Sequence, residues 1–511
     1  MIDFTFKEDN GRDSKVAGGK AWMEGLILVL MLAVSFGLNL ATSSRFPLPW
    51  QDEIAFTDVA VNTATGQGFI STVAMCGDPS IQHFWSCNAP LYPLILSRWI
   101  QATGFTIPGV RSLNYVLILL CVLTLWAAVK RLDLVRSARY RLLFAGLLLC
   151  GYGMGFIFRS ARYDCLCLLV MSLVPLSYTL KPARARLLAI FLLGVVAPFA
   201  GIQLILYSIV LCAVVLLFLR QRVIWEVLAL GAGEMVGAAS LIGFFYTHGV
   251  LANFRSAISG ERTGRFQYMS KDPSFALLLL VCLLLVGTQL FRGKFKLRSL
   301  LGAALACGIL IPAGMLLLGK FPIYYSWMAF VPLAMLVCGA LSRERAGFPR
   351  GALLFGALGM ATVFLIGLPV QLASALYYWN GRDCARIDAM DQQYLASSDW
   401  VYTQYSGYFA ARKVTDHVFM PFLVPEPYKD KVNVLIVSPS DYKEYVHAIM
   451  GGEWRDTGIG IADTERDLLP NNSAAILLQR RIDLHIYRKI EPAAQSSADT
   501  ASGQVKAGQV L

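Results

Sequence analysis

The feature that most constrains this chain is a series of long apolar segments separated by short basic loops. A helix needs about 20 apolar residues to cross the hydrocarbon layer of a bilayer, and the longest segments reach that length. With 56% hydrophobic and 15% charged residues, the chain is too apolar for a soluble protein of 511 residues. The sequence therefore predicts a polytopic α-helical membrane protein. Its eleven candidate spans are 22–42, 109–129, 142–158, 165–180, 187–200, 203–219, 223–246, 274–291, 299–318, 323–341 and 351–376.

The basic residues concentrate in every second loop between these spans. These five loops hold 17 Lys and Arg residues against two acids, Asp133 and Glu344, and they are 130–141, 181–186, 220–222, 292–298 and 343–350. Cytoplasmic loops of membrane proteins are enriched in Lys and Arg, so the N-terminus is predicted to be cytoplasmic. This placement explains much of the net charge of +12 without nucleic acid as a partner. No cleavable signal peptide is evident, and the first span is expected to anchor the chain in a bacterial plasma membrane.

This orientation divides the chain into four parts. Residues 1–21 form a cytoplasmic segment, and 22–376 form the transmembrane domain with a long outer loop at 43–108. Residues 377–490 form an extracytoplasmic domain, and 491–511 read as a flexible tail. Three runs in the extracytoplasmic domain have the composition of strands, which predicts a small α/β fold; they are Val432–Val437, Ala474–Leu478 and Asp483–Tyr487.

An acid pair, Asp52 and Glu53, follows the first span and the prolines at 47 and 49. Apolar residues then recur at the spacing of an amphipathic helix, so the pair is predicted to lie in the first turn of a short helix. Acids at this position are favoured by the helix dipole alone. A carboxylate at a membrane surface is costly unless it is solvated or used, and an acid beside another acid is suited to act as a general base.

A second polar group lies in the turn Arg159-Ser-Ala-Arg-Tyr-Asp164, on the same predicted side of the membrane. Asp164 could form a structural ion pair with Arg162 or with Arg159. Alternatively, Arg162 binds an anionic head group while Asp164 orients it, because arginine makes bidentate contacts with phosphate. Both interpretations remain open at the level of sequence.

Further outer cations and aromatic residues are candidates for binding an anionic substrate. A lysine followed by paired tyrosines at a span end is typical of an interfacial anchor, and it also suits a phosphate at that depth. The outer loop 247–273 is basic against the positive-inside trend, which favours anion binding there. The candidate residues in these segments and in the first outer loop are Lys320, Tyr324, Tyr325, His83, Arg255 and Arg262.

Neither a metal site nor a cofactor is predicted. The histidines lack metal-ligand spacing, although a requirement for a divalent metal stays open. Cys76 and Cys87 could form a disulfide in the outer loop, but spacing alone does not decide this. Glu234 lies mid-span, where acids are functional candidates. Its flanking glycines favour close helix packing with a buried hydrogen bond instead.

Several of these motifs together resemble the large GT-C glycosyltransferases. They are Asp52-Glu53-x-x-Phe56, Pro90-Leu-Tyr-Pro-Leu-Ile-Leu leading to Gly104, Arg111 at the second span, Arg162-x-Asp164 and Lys320-Phe-Pro-Ile-Tyr-Tyr. The most similar groups are bacterial protein O-mannosyltransferase-like proteins and lipid A aminoarabinose transferases, and the resemblance covers about residues 22–345. Family members often carry two prolines before the Leu-Tyr segment, whereas Ala89 precedes Pro90 here.

The resemblance implies an integral-membrane, inverting transfer of a sugar from a polyprenyl-phosphate donor in the bilayer. The acceptor would be a hydroxyl or phosphate on an envelope glycan, lipid or protein at the extracytoplasmic face. Asp52 would be the base and Glu53 would help to position the acceptor. Arg162 and Lys320, with Tyr324 and Tyr325, would bind the donor phosphate.

Two other classes of protein compete with a transferase. A lipid-linked sugar transporter or flippase would show polar or broken helices at the bilayer midplane and paired halves. Apart from Glu234 the predicted spans carry few such groups, and polar residues concentrate on one face. A non-catalytic assembly or receptor protein would use the C-terminal domain to bind its partner.

Overall fold

The computed structural model describes residues 14–73, 83–219, 223–260, 272–293, 300–317, 325–344, 348–420, 426–462 and 482–490. The chain divides into a helical unit that extends to Ala385 and a second unit that begins at Arg386. Several predictions concern residues outside the described ranges, namely Cys76, Arg262, Lys320, Tyr324, the strand 474–478 and the tail 491–511.

The helical unit is built from helices joined mostly by short connections. In chain order they are α1 (Ser14–Thr42), α2 (Gln51–Ala64), α3 (Leu91–Thr103), α4 (Ile107–Arg131), α5 (Ala138–Cys150), α6 (Tyr152–Phe158), α7 (Asp164–Tyr178), α8 (Ala183–Ala200), α9 (Gln203–Leu219), α10 (Ile224–Thr247), α11 (Leu251–Gly260), α12 (Pro273–Phe291), α13 (Leu300–Leu317), α14 (Trp327–Glu344), α15 (Arg350–Ile366), α16 (Leu368–Tyr377) and α17 (Cys384–Tyr394), the last of which crosses into the second unit.

The predicted polytopic helical architecture is confirmed. Within the described ranges, six helical segments are long and apolar enough to cross a membrane: Trp22–Thr42, α4, α8, α10, α12 and the stretch Arg350–Tyr377. The bent pair α5–α6 passes the same test together, and α7, α9, α13 and α14 are shorter apolar helices. Each of the eleven predicted segments overlaps at least one of these helices. The chain is a multi-pass membrane protein.

The segment predicted as one span at 142–158 is bent by 63° between α5 and α6. The bend lies against a break in the last apolar segment, where Gly367 separates α15 from α16. A Cβ on Gly367 would lie 1.4 Å from the main-chain oxygen of Cys150, so only glycine permits this approach. The bend gives α6 its own direction and sends its end into the turn 159–163.

Helices α8 and α10 pack closely around Glu234, as the flanking glycines predicted. A Cβ on Gly233 would lie 2.1 Å from the main-chain oxygen of Phe191, and one on Gly194 would lie 2.5 Å from that of Leu230. Glu234 itself is 7% exposed. Small residues allow helix backbones to approach in this way within membranes, so the predicted close packing is present. The predicted buried hydrogen bond is not seen at Oε1 of Glu234, which has no hydrogen-bond partner within the described structure.

Helix α2 begins where expected, directly after the two prolines, and carries Asp52 and Glu53 in its first turn. Although its apolar residues have the spacing of an amphipathic helix, every residue from Glu53 to Asn62 is buried. Polar residues in its second half contact the loop that follows. The Asp58 carboxylate, for example, accepts hydrogen bonds from the Ser71 hydroxyl at 2.7 Å and the Thr72 amide at 2.9 Å.

The second unit contains a five-stranded mixed sheet with short helices, which confirms the predicted small α/β fold. The sheet order is β2-β1-β3-β5-β4, with β1 parallel to β2 and β3, and with β5 antiparallel to β3 and β4. Strands β3 and β5 coincide with predicted runs, whereas β1, β2 and β4 were not predicted. The elements are β1 (Val401–Thr403), α18 (Tyr408–Val414), β2 (Val418–Phe419), α19 (Glu426–Lys429), β3 (Val434–Val437), α20 (Pro439–Asp441), α21 (His447–Met450), β4 (Trp454–Ala462) and β5 (Asp483–Lys489).

Asp391 on α17 is expected to make the stability of the protein depend on pH. It is fully buried, and neither carboxylate oxygen has a hydrogen-bond partner within the described structure. Burial, with a smaller contribution from Asp388, raises the pKa of Asp391 to about 8. Because an unfolded Asp titrates near about pH 4, the folded protein holds this proton more tightly, and stability should fall as pH rises from about 4 to 8.

Replacing Asp391 by Asn should remove this pH dependence and raise the free energy of unfolding at pH 8 by about 1–3 kcal/mol. Thermal unfolding of the purified full chain between about pH 5.5 and 8.5 checks the change. Asp430→Asn, at an exposed position of the same unit, is the matched control. Equal pH slopes in the wild-type and Asp391→Asn proteins would contradict the prediction.

Candidate active site

The two acids of α2 are adjacent in sequence but lie in different environments. The Asp52 side chain is 19% exposed, whereas the Glu53 side chain is 0% exposed. Consecutive side chains on an α-helix point about 100° apart, so one acid points to an open edge and the other into the unit. The open position belongs to Asp52.

Glu53 forms a fully buried ion pair with Arg111 of α4. Its Oε1 accepts a hydrogen bond from Arg111 Nε at 2.7 Å, and its Oε2 accepts one from Nη2 at 2.6 Å. Arg111 Nη1 also donates to the main-chain oxygen of Ser43 at 2.5 Å. Oε1 of Glu53 further accepts the main-chain N–H of Ala161 at 3.0 Å, so this carboxylate connects α2, α4 and the turn 159–163.

Arg162 lies between two carboxylates. Its Nε donates to Oδ2 of Asp164 at 2.9 Å, and its Nη1 donates to Oδ2 of Asp52. The guanidinium is 2% exposed and lies over the rings of Trp50 and Tyr163, at 5.0 Å and 5.8 Å from the centroids. One cation therefore faces two anions in a largely buried setting, where charge-assisted hydrogen bonds are strong.

The open question of which arginine pairs with Asp164 is answered by the geometry. Arg162 is the partner, while Arg159 turns towards the end of α1. Arg159 donates to Oδ1 of Asn39 at 2.9 Å and to the main-chain oxygen of Phe46 at 2.7 Å. The two arginines of this turn thus have different partners. Arg162 contacts the acids, whereas Arg159 contacts the end of the first helix.

Tyr325, the one described member of the predicted Lys-Tyr-Tyr group, contacts the same turn. Its hydroxyl lies 2.6 Å from that of Tyr163. The next residue, Ser326, donates to Oδ2 of Asp272, whose other oxygen accepts two main-chain N–H groups at the start of α12. The beginnings of α12 and α14 are thereby joined close to the acid cluster, which consists of Asp52, Glu53 and Asp164.

His83 and Arg255 are both exposed, and within the described ranges neither forms a hydrogen bond or ion pair with Asp52, Glu53, Arg162 or Asp164. The neighbour of His83, Phe84, stacks on His248 at the end of α10, with ring centroids 4.1 Å apart. Arg255 lies on α11. The structure therefore brings together four of the predicted site residues and Tyr325, and it leaves these two apart.

The described residues contain no group of three or more His, Cys, Asp or Glu side chains placed to hold a metal ion. The site as described offers one open carboxylate, one buried cation shared between acids and several tyrosine hydroxyls. Burial raises the pKa of Tyr163, so its hydroxyl remains neutral and available as a hydrogen-bond donor.

Two solved structures superpose on almost the whole chain. ArnT from Cupriavidus metallidurans bound to undecaprenyl phosphate matches with a TM-score of 0.61 and 14% identity, over 92% of this chain and 98% of ArnT. The apo form of ArnT matches with a TM-score of 0.63 and 15% identity, over 93% and 98% of the two chains. ArnT is a GT-C glycosyltransferase. This chain has the GT-C fold.

The GT-C fold expected from the motifs is thus confirmed. No protein-family model matches the sequence, and no curated protein matches it by sequence. The relationship rests on the shared GT-C fold alone, because identities of 14% and 15% are low. The chemistry of the site has to be argued from its own residues.

Some residues that shape this site were missed from the sequence. Arg111 and Tyr92 were noted only as part of the resemblance, and Asn114, Trp50 and Asp272 were not considered. A signal for two of them existed, since Arg111 and Asn114 are polar residues three apart within an otherwise apolar segment. That spacing places both on one face of a helix, where polar groups in a membrane need partners.

Proposed function

We propose that this protein is an integral-membrane, inverting glycosyltransferase that uses a polyprenyl-phosphate sugar. The observation that carries the proposal is the Asp52 carboxylate, which is partly exposed and contacts the buried Arg162 within a GT-C fold. A base for an incoming hydroxyl must reach solvent or substrate, and a departing phosphate needs positive charge nearby. Both requirements converge at Asp52 and Arg162.

In the proposed reaction, Asp52 removes the proton of an acceptor hydroxyl as its oxygen attacks the anomeric carbon. The bond from that carbon to the phosphate oxygen breaks, and the polyprenyl phosphate leaves with the bonding electrons. Arg162 stabilises the phosphate, and we assign Lys320, Tyr324 and Tyr325 to the same task from their place in the sequence. His83, Arg255 and Arg262 are proposed to contact more distant parts of the substrates.

Glu53 is better suited to hold the site than to contact the acceptor. Its carboxylate is 0% exposed and accepts three hydrogen bonds, two from Arg111 and one from the Ala161 amide. An acceptor could approach it only after a buried ion pair had opened. We therefore change its proposed role from contacting the acceptor to positioning the turn that carries Arg162.

The distribution of charge supports the proposed side of the membrane. The five basic loops hold 17 cations against two acids, which favours their placement in the cytoplasm. The acid cluster then faces the extracytoplasmic side of a bacterial inner membrane. That face lacks the cytosolic pool of nucleotide sugars, which supports a lipid-linked donor. ArnT was crystallised with undecaprenyl phosphate, and this also favours a polyprenyl carrier here.

Purified protein incubated with a panel of polyprenyl-phosphate sugars tests the proposal. Mass spectrometry should detect loss of the sugar from at least one carrier and its appearance on an acceptor from an envelope extract. Transport of an intact lipid-linked sugar across proteoliposomes, with no chemical change in the lipid, would favour a flippase and reject the transferase.

Reversing the charge at Lys320 should weaken use of the donor. We expect Lys320→Glu to raise KM for the polyprenyl-phosphate sugar by about 10-fold or more, because the new carboxylate repels the phosphate. Membrane insertion and yield should remain close to wild type. Lys443→Glu, at an exposed position of the second unit, is the matched control. An unchanged KM in Lys320→Glu would reject the phosphate role.

A further inference from the structure

The turn 159–163 leaves main-chain carbonyl groups in a buried setting without helical partners. Helix α6 ends at Phe158 and α7 begins at Asp164, so the last carbonyls of α6 and those of the turn need other donors. Ser160 and Arg162 are 1% and 2% exposed, so bulk water cannot donate hydrogen bonds to the carbonyl groups of this turn. Buried carbonyls without a donor are costly, so another part of the chain has to supply one.

The side chain of Asn114 on α4 donates to three of these carbonyls, so its two N–H bonds are shared among them. Its Nδ2 lies 3.1 Å from the main-chain oxygen of Ile157, 2.5 Å from that of Ser160 and 2.8 Å from that of Arg162. The Ser160 carbonyl also accepts the Arg162 N–H at 2.9 Å, and the Ile157 carbonyl accepts the Cys165 thiol at 3.3 Å. Asn114 is 0% exposed. One amide group therefore ties the last turn of α6 to the residue that carries the guanidinium of the site.

Tyr92 of α3 fixes the orientation of this amide. The Tyr92 hydroxyl donates to Oδ1 of Asn114 at 3.1 Å. Burial raises the pKa of Tyr92, so the hydroxyl keeps its proton and remains a donor. With Oδ1 occupied by a donor, the NH2 group of Asn114 has to face the carbonyls. The groups around the Asn114 amide thus determine which position holds its oxygen and which holds its nitrogen.

Asn114 acts together with the ion pair one helical turn earlier. Arg111 and Asn114 are three residues apart on α4, and both contacts lead to the same turn. Arg111 holds Glu53, which accepts the N–H of Ala161, while Asn114 holds the carbonyls on either side of Ala161. The turn is held through its amide from one direction and through its carbonyls from another.

We propose that Asn114 is a positioning residue that sets the place of Arg162 between Asp52 and Asp164. The proposal rests on the function proposed above for Asp52 and Arg162. Asn114 has no open edge and does not touch substrate. Its effect is exerted through the main chain of Arg162, and a displacement of about 1 Å at a reacting group can cost about 10²-fold in rate.

Hydrogen exchange and steady-state kinetics of the purified full-length protein test the proposal with three variants. Asn114→Ala should speed exchange in peptides covering the turn and lower kcat by about 10²-fold, with little change in KM for the donor. Tyr92→Phe keeps the amide but removes its orienting donor, so kcat should fall by about 2- to 10-fold. Asn62→Ala, which loses another buried amide that donates to the main-chain oxygen of Ile70 at 3.0 Å, should match wild type at the turn and in kcat.

Exchange at the turn distinguishes positioning from a general loss of stability, which would raise exchange throughout the helical unit. Unchanged exchange at the turn in Asn114→Ala would overturn the proposal. So would faster exchange with an unchanged kcat. If Asn114→Ala does not fold, Tyr92→Phe decides by the same two measurements. If wild-type protein turns over no donor, the proposed function is rejected. Hydrogen exchange at the turn then remains as the test of whether Asn114 positions Arg162.

Discussion

Replacing Asp52 by Asn is expected to lower sugar transfer by about 10²- to 10⁴-fold, the usual contribution of a general base. Asn has nearly the same shape as Asp and its oxygen can still accept from Arg162, but it cannot take the proton of an acceptor hydroxyl. Initial rates measured by mass spectrometry with the best donor of the panel check the change. Insertion and elution volume in detergent should remain those of wild type.

The matched control is Asp58→Asn, six residues further along the same helix. The Asp58 carboxylate is buried and holds the loop that follows α2, where it contacts Ser71 and Thr72. Its substitution removes a charge from α2 without touching the proposed base. Transfer by the folded Asp58→Asn protein should stay close to wild type. Full transfer by Asp52→Asn would show that another group is the base.

Replacing Arg111 by Met is expected to destabilise the helical unit by about 3–5 kcal/mol, the usual result of breaking a buried ion pair. Arg111 and Glu53 are each 0% exposed, so the substitution leaves an uncompensated carboxylate in the interior. The Ser43 carbonyl would lose its donor as well. Thermal or denaturant unfolding in detergent, followed by helical circular dichroism, measures the loss.

A second substitution separates the buried charge from lost packing. Glu53→Gln on the Arg111→Met background should restore part of the stability, because the orphaned charge is gone while the Ala161 N–H keeps an acceptor. Arg136→Met is the control. Its pair with Asp133 is 62% and 59% exposed, and its loss should cost no more than about 0.5 kcal/mol. Equal losses in Arg111→Met and Arg136→Met would contradict a structural role for the buried pair.

The helices and the start of α2 were predictable because their causes are local. A segment in the hydrocarbon layer has to be apolar and has to satisfy its own backbone, so the eleven segments could be read directly. The positions of prolines 47 and 49 likewise marked where α2 begins. Asp52 and Glu53 follow these prolines closely in the sequence, which placed them in the first turn of the helix. The bend at Gly151 was not predictable, because it depends on contact with Gly367, more than two hundred residues later.

Most residues of the candidate site could be predicted from the sequence, but the contacts between them could be predicted only in part. The sequence brought Asp52, Glu53, Arg162, Asp164 and Tyr325 to notice, and the structure joins them. It could not show that Arg162 pairs with Asp164 while Arg159 binds α1, since both arginines are close to Asp164 in sequence. Asn114 was missed because its spacing of three residues from Arg111, which places both on one helix face, was not considered.

By itself, the sequence determined that this chain is a helical membrane protein with an acid pair at the start of a short helix. Periodicity, charge and proline act over a few residues, so they can be read without a fold. Only the tertiary structure decided which acid is open, because that depends on Arg111, which meets Glu53 across a separation of 58 residues. The partner removes Glu53 from solvent and leaves Asp52 as the accessible carboxylate.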